Sequence, residues 1–313
     1  MRASSHASML RRNPQAAILM PQSPAARWLE FSLVGGTGRD GAESALRALA
    51  AGDARIDGTF CVVGLGISLV GLLGIHVPGL RTFPVLAGAK VDVPSAPRAL
   101  WIWLRGEDRG ELLHRSRRIA ATLAPAFALE SCVDGFVHDT GRDLSGYEDG
   151  TENPKAEDAT AAAIVAAGDS CAPEGSSFVA VQQWVHDFAQ LARMSKTEQD
   201  NAIGRERVTN DELKDAPESA HVKRTAQEDF EPVAFVVRRS MPWTDGMRAG
   251  LMFIAFGRTL DAFEMQLRRM AGLDDGIVDS LFSFTQPITG AYYWCPPVVG
   301  GKVALVASDL SAR

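Results

Sequence analysis

The sequence predicts an α+β protein, with antiparallel sheets covered on one face by helices. Strand-like and helix-like runs are interleaved in both halves of the chain. They keep no unbroken βαβ rhythm, which disfavours a doubly wound parallel sheet. The strand runs are short, rich in β-branched or aromatic residues, and bounded by Gly and Pro. The chain has 313 residues, 46% hydrophobic and 22% charged. That is enough for one large domain or two ordinary ones with a sizeable core.

Residues 1–13 are polar and basic, are followed by Pro14, and read as a disordered tail. The pair Arg11-Arg12 precedes an apolar run too short for an export signal. Residues 15–20 and 27–34 read as strands, 42–51 as a helix, and 59–63 and 99–104 as further strands. Residues 60–75 are the most apolar stretch. They number 16 and include four glycines, short of the roughly 20 residues that span a bilayer, so a cytoplasmic protein that does not cross the membrane is expected. Residues 111–124 carry Leu112, Leu113, Ile119 and Leu123 near helical spacing, and Pro125 ends that helix. In the second half, 177–181 read as a strand running into a helix. There Trp184, Val185, Phe188, Leu191 and Ala192 fall at i, i+1, i+4, i+7 and i+8. Residues 232–240 and 250–256 read as strands, 260–270 as an amphipathic helix and 291–294 as a last strand. Two polar, poorly periodic stretches, 139–159 and 201–231, lie between. The seam falls near residue 140, giving an N-terminal domain over 14–140 and a C-terminal domain over 141–313.

Composition excludes several function classes. A net charge of -6 gives no general drive towards nucleic acid or an anionic membrane. Cys61, Cys132, Cys171 and Cys295 are far apart and form no CxxC pair. A zinc site, a redox dithiol and CxxCH haem attachment are therefore not expected, and a reducing compartment fits. Gly64-x-Gly66 lacks the third glycine and the lysine of phosphate loops. Trp101 and Trp103, on an apolar strand, read as core.

Residues 141–154, GRDLSGYEDGTENP, must turn tightly and present backbone N–H groups. Gly146-Tyr147-Glu148-Asp149-Gly150 resembles the GxxDG motif of dye-decolourising peroxidases, and Thr151-Glu152-Asn153-Pro154 continues it as in bacterial members. Further segments resemble the family in order: Trp184-Val185-His186-Asp187-Phe188, Ile203-Gly204-Arg205, Ser219-Ala220-His221, Arg238-Arg239-Ser240-Met241-Pro242 and Gly250-Leu251-Met252-Phe253. Phe284-Thr285 and Thr289-Gly290-Ala291 close the set, while Val63-Gly64-Leu65-Gly66 and Pro78-Gly79-Leu80-Arg81 bring in the first half. The resemblance runs over about residues 15–300. It implies two ferredoxin-like domains of the dimeric α+β barrel type, with haem b, one per chain, held mainly by the second.

A peroxidase haem needs one protein ligand on iron and an open face for peroxide. Of His6, His76, His114, His138, His186 and His221, each taken singly reads as a surface or hydrogen-bonded histidine, and His186 falls on the polar face of its expected helix. The resemblance singles out His221 as metal ligand, with Asp279 as the partner of its other ring nitrogen. It also implies Asp149 for proton transfer and Arg238 as the stabilising cation. Strand alternation puts Arg238 and Arg239 on opposite faces, leaving Arg239 exposed or salt-bridged. Ser240 stands where many relatives have Asn, and its hydroxyl is expected to hold a water on the reactive side. Arg205 and the backbone of Thr151, Glu152 and Asn153 are candidates for the haem propionates, and Leu251 and Phe253 for the pocket wall. The implied partners are hydrogen peroxide and small-molecule reductants, with neither nucleic acid nor membrane, in a homo-oligomer. Two rivals are a haem-handling protein on the same scaffold, releasing iron or modifying the porphyrin, and a ferredoxin-like binding module without cofactor.

Overall fold

A computed structural model describes residues 11–311. Eight antiparallel strands close into a barrel: β1 (Ala25–Leu33), β2 (Cys61–Leu65), β3 (Leu100–Gly106), β4 (Phe127–Phe136), β5 (Ser177–His186), β6 (Met241–Asp245), β7 (Arg248–Gly257) and β8 (Ala291–Cys295). The order around it is β5-β8-β2-β3-β1-β4-β6-β7, and β7 returns to β5. The first four strands thus lie as second, third, first, fourth, and the last four repeat that order. Helices α1 (Arg39–Ala51) and α2 (Arg109–Leu123) occupy the two crossovers of the first half. In the second half, α3 (Asp261–Met270) takes the place of α2. Each half is therefore a ferredoxin-like βαββαβ unit. The fourth strand of each pairs with the second strand of the other, through Gly135↔Trp243 and Trp294↔Leu65. Closure leaves no exposed edge among the eight barrel strands.

Strand alternation divides the side chains into two sets. Trp28, Trp101, Trp103, Val181, Trp243 and Tyr293 belong to one buried cluster inside the barrel. Leu29, Phe31, Ile102, Leu104, Phe178 and Ala180 belong to another, shared with helix residues such as Leu46, Leu112 and Leu267, and so face outwards. The two tryptophans of β3 are thus core. Helix α1 forms because Ala42, Ala45, Leu46 and Leu49 make one apolar stripe. Helix α2 starts where the Asp108 side chain accepts from the backbone N–H of Gly110 and Glu111.

Several elements differ from expectation. Residues 15–20 hold a 3-10 turn, Ala16–Ile18, in place of a strand. The Gln15 side chain there bonds to both backbone groups of Val63. Arg12–Asn13, assigned to the tail, pair with Val298–Val299. The rest of that expected tail, residues 1–10, lies outside the described residues. The strand from Ser177 continues to His186, and the helix begins only at Phe188. Trp184 and Val185 mimic helical spacing yet alternate between the faces of β5. Of residues 232–240, only Val237–Arg238 pair as a strand. The preceding backbone is satisfied by side chains instead: Gln266 Nε2 donates to Ala234 O and Val236 N donates to Gln227 Oε1. No helix among the described residues is long and apolar enough to cross a membrane.

Candidate active site

A cavity opens beside the outer face of β5 and β7. Gln182 and Trp184 come from β5, Leu251 and Phe253 from β7. These four share the outward parity of Phe178 and Ala180. Helix α3 supplies Phe263, Gln266, Leu267 and Met270, and the polar loop before β5 supplies Tyr147, Glu148 and Asp149. His221 and Arg238 also border it.

His221 opens the short helix His221–Arg224. Arg224, nearly buried, pins that helix by donating twice to Asp275, at 2.7 Å each, and to Arg269 O at the end of α3. Asp279 N donates to Met270 O, and Ser280 N to Ser219 O. These bonds bring Asp279 behind the imidazole, although 58 residues separate them in the chain. The fully buried Asp279 accepts from His221 Nδ1 at 2.7 Å, and its other oxygen accepts from Leu281 N. Nε2 of His221 has no hydrogen-bond partner among the described residues.

Asp149 sits in a loop that needs Gly146 at φ +93° and Gly150 at φ +78°. Only glycine takes that left-handed backbone without steric cost. Tyr147 ties the loop to helix Lys196–Ile203 by donating to Asp200 at 2.6 Å. Asn153 clamps the Arg238 backbone from both sides, accepting its N–H at 2.7 Å and donating to its carbonyl at 3.1 Å. The loop and the arginine strand are thereby held as one piece. Arg238 Nη1 lies 3.9 Å from Asp149 Oδ1. Arg238 Nε and Gln182 Nε2, buried atoms of two residues that border the cavity, have no partner among the described residues.

These residues lie in a segment with a recognisable relationship. Residues 140–300 match the family described as Dyp-type peroxidase, C-terminal. The chain belongs to the Dyp-type peroxidase family. It is 33% identical over 227 residues to a dye-decolorizing peroxidase of Mycolicibacterium paratuberculosis, covering 70% of this chain and 63% of that relative's length. A dye-decolorizing peroxidase of Mycobacterium tuberculosis is 32% identical over 225 residues, covering 70% of this chain and 67% of the relative. Among solved structures, DyPB from Rhodococcus jostii RHA1 superposes with a TM-score of 0.81 at 27% identity, covering 90% of this chain and 95% of that one. A variant of that protein has been solved in complex with heme. A dye-decolorizing protein from V. cholerae gives 0.79 at 27%, over 91% and 97% of the two chains.

The structure brings His221, Asp149, Arg238, Leu251 and Phe253 to one cavity. Other expected residues do not border that cavity. Arg205, expected at a propionate, is nearly buried and spends its guanidinium on Glu152 at 2.6 Å, Glu212 and Asn210 O. Thr151 accepts from Asn210, and the Asn153 N–H donates to Gly150 O. Arg205, Thr151, Glu152 and Asn153 therefore brace the loop and do not border the cavity. Ser240 is buried, its hydroxyl accepts from Ile254 N at 3.3 Å, and it does not border the cavity. Arg239 is neither exposed nor salt-bridged. It donates to Leu19 O and Arg238 O, and burial with help from Arg105 lowers it to about 10.

The sequence missed Asp143, His186 and Thr285. His186 is a buried strand residue, not the polar face of a helix. Its Nε2 meets Asp143 at 3.0 Å and its Nδ1 meets Thr285 Oγ1 at 2.7 Å. All three border the cavity. The one available signal was alternation at 182, 184 and 186. His186 has both ring nitrogens engaged, whereas His221 leaves one open.

Proposed function

We propose that this protein is a haem peroxidase. It binds one haem b per chain in the cavity, reduces hydrogen peroxide and oxidises small one-electron donors such as dyes or phenols. One observation carries this assignment: the His221 ring borders the cavity with Nδ1 fixed by a buried carboxylate and Nε2 unengaged. The rest of the site fits the group. The walls from Leu251, Phe253, Phe263, Leu267, Met270 and Phe284 suit a flat apolar macrocycle. The unpartnered Arg238 Nε and Gln182 Nε2 are donors a bound ligand can use.

Haem, when bound, supplies an iron that takes oxidising equivalents from peroxide and passes them on as single electrons. His221 would hold that iron through Nε2. Asp279 accepts the Nδ1 proton, keeps Nε2 free of hydrogen and raises the basicity of the ring. Asp149 takes a proton from hydrogen peroxide and returns it to the departing oxygen as the O–O bond breaks. Arg238, permanently charged and held beside Asp149 by Asn153, stabilises the charge developing on that oxygen. Leu251 and Phe253 keep bulk water from the reacting atoms.

We also propose that the seam between the two units falls near residue 140. The four cysteines are unpaired, which fits the cytoplasm, and the family resemblance supports a homo-oligomer. The test is to add haem to the purified full chain and follow the Soret band, then supply peroxide and a dye. Uptake of one haem per chain with dye turnover is expected. Failure to take up haem overturns the assignment, and so does a changed porphyrin without dye turnover, which marks haem handling.

A further inference from the structure

The wall of the cavity carries a second histidine–carboxylate pair that the mechanism above leaves unused. His186 and Asp143 are buried, and Thr285 completes the chain on the far side of the ring. Asp143 Oδ2 also accepts from Ser145 N at 2.9 Å and from its hydroxyl at 2.5 Å. Burial pushes the Asp143 carboxyl up, but the bonds and charge of His186 and the bonds from Ser145 outweigh it, so the group lies below the usual carboxylate range and is ionised. His186 Nε2 must then donate to it.

The other nitrogen is free to change state, because Thr285 Oγ1 lies between two acceptors. It is 2.7 Å from His186 Nδ1 and 3.0 Å from Val185 O. With the ring charged, Nδ1–H donates to Thr285, whose own hydrogen turns to the Val185 carbonyl. With the ring neutral, Nδ1 offers a lone pair and the Thr285 hydroxyl turns to donate to it. Both patterns satisfy every group with the heavy atoms where they stand. One proton leaves, and the charge of the pair goes from zero to minus one.

We propose that Asp143, His186 and Thr285 form a proton-loading site in the pocket wall, which gives one proton to water entering the cavity and regains it with a turn of the Thr285 hydroxyl. A peroxidase consumes two protons for each peroxide reduced to two waters, so a local store in the wall of the cavity that Asp149 also borders has a use. His186 acts through that water and is a positioning residue, not a catalytic one. The surroundings leave Asp143 as its charged contact. Glu148, Asp149, His221 and Arg238 share the cavity. Asp187, next in the chain, accepts from Gln190 N at a helix start. On the helix Lys196–Ile203 and its neighbours, Asp200 is held by Lys196 and Tyr147, and Arg207 donates to Gln199. Beyond Thr285, Asp279 is committed to His221.

The test is nitrogen NMR of the full chain labelled at histidine, titrated between about pH 5 and pH 9 before haem is added. His186 is expected to pass from a neutral ring with hydrogen on Nε2 to a doubly protonated ring. Thr285→Val should lower the midpoint by about one unit, a tenfold loss of proton affinity. Thr285→Ser keeps the hydroxyl and should keep the midpoint. A ring fixed in one state across the range overturns the proposal, as does an unshifted midpoint in Thr285→Val or equal shifts in the two variants. The use of the proton rests on the peroxidase assignment. In haem-loaded protein, one limb of the pH profile for peroxide reduction should move with the midpoint in Thr285→Val, and a limb that stays put refutes that use. Failure to bind haem refutes the peroxidase assignment and leaves the NMR result standing.

Discussion

Replacing Asp279 with asparagine should weaken haem binding by about 10–100-fold, or about 1.4–2.7 kcal/mol. The carboxylate is fully buried and accepts from two donors, His221 Nδ1 at 2.7 Å and Leu281 N at 2.8 Å. Asparagine keeps one acceptor oxygen, which the Leu281 backbone claims. Its amide then points N–H at Nδ1. Two hydrogens cannot face each other there, so the ring moves its proton from Nδ1 to Nε2 and accepts from the amide. Nε2 is the nitrogen required for iron, so binding must reverse the change and leave donor against donor. The assay is titration of the haem-free protein with haem, followed by absorbance. Asp274→Asn, which removes a surface pairing with Arg268, serves as the control for a lost negative charge. Wild-type affinity in Asp279→Asn would refute the assignment of His221 and Asp279.

Arg238→Leu should slow the reaction with peroxide by about 100-fold or more, as the loss of a charge-stabilising donor does. Arg239→Leu should leave that rate far closer to wild type, and equal losses in stopped-flow traces would reverse the choice between them. Asp143 has a folded value below its ordinary 3.8, so the stability it lends is present above about pH 4 and is lost as pH falls through the folded value. Asp143→Asn should therefore lose less stability than wild type between about pH 6 and pH 3 in urea unfolding, and parallel losses would contradict the sign. Gly250→Ala would place a Cβ 2.0 Å from Trp184 O, a backbone atom that cannot swing away. It should cost about 3 kcal/mol, and an unchanged unfolding midpoint would mean that β5 and β7 do not approach so closely.

Much of the fold was legible because its signals are local. Alternation in β1 and β3 and the stripe of α1 state which side each residue takes. The errors at residues 15–20 and 184–192 share a cause. A few apolar residues satisfy two periodicities, and partners distant in the chain choose between them: Val63 for Gln15, and the strand Thr285–Pro287 for Trp184–His186. The candidate site divides the same way. Asp149 stands in a loop whose glycines are required by backbone geometry, and the resemblance of its GxxDG motif singled it out. Arg205 has the chemistry a propionate needs, and only the folded structure reveals its ion pair with Glu152.

By itself, the sequence determined the alternation that builds the barrel strands, the turn that carries Asp149, and the family to which these residues point. The tertiary structure decided which histidine has an open nitrogen. His221 meets a carboxylate 58 residues away at one nitrogen, while His186 is closed at both by partners 43 and 99 residues away. A hydrogen bond depends on separation in space, and that separation is set when the two halves close one barrel around a shared core.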